Sequence, residues 1–171
     1  MTALSDRLED LHVHASAPGG GVHGELRGAS GVLIYLSTGF YRQSTERELE
    51  HRLEQLGRLL WVNRTRLYRE TVEQFGDGLR IEHPDPERDP ADAAFVERRA
   101  LLVARGTSPD GRVTIAVEGM TTWRVTISDN TLRTLDESSF TRAVEIAAGR
   151  MIDDQAMHIL QLKAQVYGEP T

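Results

Sequence analysis

Sliding the sequence along itself by 91 positions, which carries Gly28 onto Gly119 (119 − 28 = 91), lays one apolar skeleton on another without a gap. Val22, Leu26, Val32, Ile34 and Leu36 fall on Val113, Val117, Trp123, Val125 and Ile127. Farther along, Leu49, Leu53, Leu56 and Leu60 fall on Phe140, Val144, Ala147 and Met151. Identities are sparse, among them Pro18 with Pro109, Gly20 with Gly111, Glu46 with Glu137 and Glu54 with Glu145. The repeat is therefore carried by residue class, and any fold for this chain has to be written twice.

The second copy shows what is repeated. Val113, Ile115 and Val117 alternate with polar residues, and after Gly119 so do Trp123, Val125 and Ile127, the period of a half-buried β-hairpin. Beyond Asn130 the period becomes helical, with Phe140, Val144, Ala147 and Met151 behind Asp136 as N-cap. In the first copy strands are expected at about 22–27 and 32–37, with glycines in the turn from Arg27 to Gly31. Thr45-Glu46-Arg47-Glu48 reads as a capping box opening a helix that runs to Phe75, where Gly76 and Gly78 stop it. Residues 3–14, with Leu4, Leu8 and Leu11 on one side, read as a short helix, and 91–104 as its counterpart. The expected fold is α+β, two tandem α-β-β-α repeats over 1–76 and 91–171. An acidic linker at 77–90, containing Pro84, Pro86 and Pro90, joins them.

A chain of 171 residues has room for one ordinary domain or two small ones. No apolar run approaches the roughly 20 residues of a membrane span, and no secretory signal is visible, so a cytoplasmic location is expected. The absence of cysteine excludes disulfides, thiolate metal sites and a cysteine nucleophile. Every basic residue but Lys163 is arginine, a usage that fits a GC-rich, actinobacterial type of genome. The net charge of −6 opposes a protein that grips nucleic acid mainly through phosphates, unless the positive charge is gathered on one face.

Candidate chemistry is thin. Gly19 to Gly24 spells a dinucleotide-type glycine pattern, but a strand follows it where phosphate binding needs a helix N-terminus. His12 and His14, two apart on an expected helix, would face different sides and lack a third ligand. His158 replaces Leu67 of the first copy and reads as a core position, and Ser30 has no strand-to-helix elbow. No catalytic set, cofactor site or metal site is assigned.

Two surfaces stand out instead. Arg47, Arg58 and Arg69, eleven apart, return to nearly one face of the long helix and could follow the phosphates of duplex DNA. Acidic residues interleave with them, and Glu48–Arg52, Glu54–Arg58 and Arg66–Glu70 have the spacing of ordinary i,i+4 pairs. The second surface is Leu33 and Tyr35, outward-facing where the second copy has Arg124 and Thr126, which marks a face covered by the chain itself or by a protein partner.

The run Gly111-x-Val113-x-Ile115-x-Val117-x-Gly119, followed by Val125-x-Ile127-Ser128, Leu132 and the helix, resembles the YbaB/EbfC family of nucleoid-associated proteins over roughly residues 90–168. Where that family usually has Asp-Pro after the second strand, this chain has Asp129-Asn130. The resemblance implies a small, non-enzymatic α+β protein whose homodimer is shaped as tweezers, with hairpins paired in a shared sheet and sequence-tolerant binding of duplex DNA. It implies further that this chain is such a dimer fused into one polypeptide, a pseudo-dimer. Two functions follow: a nucleoid-associated protein touching phosphates, or a protein-interaction adaptor similar in kind to the YbaB-like proteins encoded beside type VII secretion components.

Overall fold

A computed structural model describes residues 3–75 and 84–168. The first copy runs α1 (Ala3–Glu9), β1 (His12–Ser16), β2 (Val22–Arg27), β3 (Gly31–Leu36), a single turn α2 (Phe40–Gln43) and the long α3 (Glu46–Gln74). The second runs α4 (Pro90–Leu101), β4 (Val103–Thr107), β5 (Val113–Glu118), β6 (Thr122–Ile127), α5 (Thr131–Thr134) and α6 (Glu137–Tyr167). From β1 to α2 both bounds of every element recur 91 positions later (103 − 12 = 91), and so does the start of the long helix.

The chain is mixed α+β, with two three-stranded antiparallel sheets of order β1-β2-β3 and β4-β5-β6. This corrects the α-β-β-α reading: the helices expected at 3–14 and 91–104 each end early, and a strand follows. In His12-Val13-His14-Ala15-Ser16 the side chains alternate outward and inward, which a strand accommodates and a helix does not. The expected shared sheet is also absent, since no strand ladder joins the two sheets among the described residues. Of the expected linker, residues 77–83 lie outside the described residues, as do the stop signals Gly76 and Gly78. Pro90, read as the end of that linker, instead opens α4, where Asp89 caps the helix by accepting from the Ala91 N–H.

The long helices begin where the sequence places them. Thr45 Oγ1 accepts from the Glu48 N–H at 3.2 Å, and Asp136 Oδ1 accepts from the Ser139 N–H at 2.7 Å. That second bond holds the Asp136 carboxyl below the usual carboxylate range. At 29 residues, α3 is about 44 Å long. Its buried positions Leu49, Leu53, Leu56 and Leu60 join Phe140, Val144, Ala147 and Met151 of α6, and the inner faces of both sheets, in one continuous core. Burying each of the larger of these side chains contributes about 1.5–3 kcal/mol as an upper estimate, and the core draws on both copies. Gly106 of β4 sits where a Cβ would lie 2.0 Å from the Ala147 carbonyl and 2.4 Å from the Met151 nitrogen, so α6 lies backbone to backbone on β4.

Candidate functional site

The two copies meet through the edges of their sheets. On β3 the Ile34 N–H donates to Glu145 Oε2 at 3.1 Å, and on β6 the Val125 N–H donates to Glu54 Oε1 at 3.0 Å. Ile34 and Val125 are images under the repeat, as are Glu54 and Glu145 (125 − 34 = 145 − 54 = 91). Each copy thus gives the other the same contact, the self-complementary arrangement of a two-fold interface. Glu50 adds a third carboxylate, accepting from the Ile127 N–H at 2.7 Å, and Glu46 accepts from the Leu132 N–H at 3.3 Å. Tyr41 donates its hydroxyl to the Leu135 carbonyl at 2.6 Å and packs on Phe140, and burial pushes its pKa up to about 12. An unpaired strand edge invites another strand, and these anionic acceptors close it with charge-assisted bonds.

These contacts change the meaning of the arginine stripe. Arg47 is bound to Glu50 at 2.7 Å, to the Ile127 carbonyl at 3.0 Å and to Asp129 at 3.1 Å, and so ties one copy to the other. Arg58 and Arg69 are exposed, and neither enters an ion pair or side-chain hydrogen bond among the described residues. The images of the three on α6 are Ser138, Gly149 and Leu160, so the stripe occurs once and not twice. The i,i+4 pairs read from the sequence do not form among the described residues. Glu54 turns to Val125, and Arg52 donates to the carbonyls of Pro18 and Gly20.

Leu33 and Tyr35 lie on the outer face of the first sheet, 39% and 43% exposed. Strand register builds the rest of that face. His14 stands opposite Glu25, Ser16 opposite His23, and His23 opposite Tyr35. Ser16 Oγ is 2.7 Å from His23 Nδ1, His23 Nε2 is 2.9 Å from Ser37 Oγ, and the His23 and Tyr35 rings stack at 6.2 Å. A hydrogen bond from Tyr35 holds the Glu25 carboxyl below its usual range against the opposing effect of burial, and the charges of Arg27 and His12 add to it. His12 and His14, assigned to different sides of a helix from the sequence, share this face because they sit on a strand. The strict alternation from His12 to Ser16 was the signal that could have found them. His158, read as a core position, is half-buried with its Nε2 3.5 Å from Asp154, and its Nδ1 has no partner.

The second sheet makes the same outer surface from different chemistry. Its residues at the positions of His12, His14, His23, Glu25, Leu33 and Tyr35 are Val103, Arg105, Thr114, Ala116, Arg124 and Thr126. No family model matches this chain, and no curated protein matches it. Among the described residues no helix is long and apolar enough to cross a membrane.

Proposed function

We propose that this chain is a non-enzymatic adaptor, built as a YbaB/EbfC-like pseudo-dimer in one polypeptide, that binds a protein partner through the outer face of its first sheet. The observation that carries the reading is the inequality of the two outer faces. Leu33 and Tyr35 are exposed on one, where the other carries Arg124 and Thr126. Because the second copy forms its sheet with polar residues at these positions, folding does not demand the apolar pair. The reciprocal Glu54 and Glu145 contacts support the pseudo-dimeric scaffold. In affinity capture from the native cytoplasm, Leu33→Asp and Tyr35→Asp should each lose a partner held by the unaltered chain while circular dichroism stays unchanged. Capture that survives both substitutions, or a chain that unfolds with either, would reject the reading.

A second reading, nucleoid-associated binding of duplex DNA, is favoured by one observation: Arg58 and Arg69 are exposed and free of ion pairs among the described residues. It weakens because Arg47 is already engaged, the stripe is not repeated on α6, and the net charge is −6. Fluorescence anisotropy with a labelled duplex at about 50 mM salt separates the two readings. Binding that falls steeply with added salt and disappears on reversing Arg58 and Arg69 supports DNA; none at low salt leaves the adaptor.

A further inference from the structure

The outer face of the first sheet brings together three metal-ligating side chains that the second sheet lacks. His12 and His14 are two apart on β1 and so project the same way, and Glu25 stands directly across from His14 on β2. His12 Nε2 lies 3.5 Å from Glu25 Oε2. Two donors on one tetrahedral zinc, each roughly 2.0–2.2 Å from it, stand about 3.3 Å apart, so this pair is already near the separation of two ligands on a shared ion. The His12 and His14 rings are 6.4 Å apart between centroids. Rings sharing a tetrahedral ion stand roughly 5 Å apart, a difference within reach of χ rotation by exposed side chains.

We propose that His12, His14 and Glu25 form a surface site for a late first-row divalent ion of the zinc class. Two imidazole nitrogens and one carboxylate oxygen select such ions over calcium or magnesium, which prefer all-oxygen shells. As the side chains stand, no group of three or more His, Cys, Asp or Glu side chains among the described residues could hold a metal ion, so binding requires the rotation of His14. It also requires Glu25 to exchange its partner, since Arg27 Nη2 donates to Glu25 Oε2 at 3.2 Å. A divalent charge at two donors' distance is a stronger partner for that carboxylate than an exposed guanidinium.

The repeat supplies the control for a purely structural role. The images of the three ligands are Val103, Arg105 and Ala116, and β4 and β5 pair in the same antiparallel register as β1 and β2. The sheet therefore needs none of the three. His23 is not assigned to the site, because Ser16 and Ser37 occupy both its nitrogens.

The test uses the full chain without an affinity tag, stripped of metal and titrated with zinc chloride in a calorimeter, and with cobalt(II) by visible absorption. The expected result is a single saturable site with tetrahedral cobalt bands. His12→Val, His14→Arg and Glu25→Ala, which bring in the second copy's residues, should each weaken zinc at least about tenfold. His51→Ala, a change at an exposed histidine on α3, should leave it unaltered. No saturable binding, or binding that survives the three substitutions combined in one chain, would overturn the proposal. Circular dichroism confirms that the combined variant is folded.

Discussion

Replacing Glu50 with alanine removes the most enclosed carboxylate between the two copies. The residue is 8% exposed, accepts the Ile127 N–H at 2.7 Å and receives Arg47 at 2.7 Å. Without it the Ile127 amide, on a buried residue at the edge of β6, has no partner, which costs about 1–3 kcal/mol. The Arg47 side chain is 63% exposed, so its lost ion pair adds only a few tenths of a kcal/mol. Together these give roughly 1–3.5 kcal/mol, or about 2–14 °C in Tm for a chain of this size. Glu50→Gln keeps an acceptor for the amide and loses only the charge, so it should cost about 1 kcal/mol or less. Urea unfolding followed by far-UV circular dichroism measures both, and the two variants should share one m-value. A Glu50→Ala change within about 0.5 kcal/mol of the parent, or one equal to Glu50→Gln, would show that the carboxylate does not bear on the amide as argued.

Other substitutions probe the same architecture. Gly106→Ala drives a methyl group into the α6 backbone, 2.0 Å from the Ala147 carbonyl, and the helix cannot yield as a side chain would. A loss of at least about 3 kcal/mol is expected in the same unfolding assay. Tyr41→Phe removes the bond to the Leu135 carbonyl and should cost about 1 kcal/mol at neutral pH. The Tyr41 pKa is raised in the folded chain, so its contribution is complete below the ordinary value of 10.0 and is lost as pH rises through about 12. Thermal melts between those limits should show an alkaline decline in the parent that is reduced in Tyr41→Phe.

The sequence displayed what depends on period and concealed what depends on partners. Val22, Ile34, Leu49 and Leu53 could be matched to Val113, Val125, Phe140 and Val144 because burial of an apolar stripe leaves its spacing in the chain. Strands β1 and β4 were hidden, since the helical spacing of Leu4, Leu8 and Leu11 runs straight into five residues whose own alternation is short. Missing β1 also hid the common orientation of His12 and His14. Glu54 lies four residues from Arg58, and only tertiary structure shows that it turns instead to an amide in the other copy. The stripe of Arg47, Arg58 and Arg69 was legible as geometry, but the engagement of Arg47 across the interface was not. By contrast, Leu33 and Tyr35 could be assigned to an outer face from alternation alone, because β3 is flanked by an unambiguous turn.

Amide hydrogen exchange at Ile34 and Val125 tests most directly whether the copies exchange their edges. Both N–H groups point away from the neighbouring strand, so in an open edge they would exchange quickly, whereas bonded to Glu145 and Glu54 they should be protected nearly as well as the core. Glu54→Ala should then release Val125 and spare Ile34, and Glu145→Ala should do the reverse. Fast exchange at both sites in the unaltered chain, or protection that neither substitution changes, would contradict the two-fold arrangement.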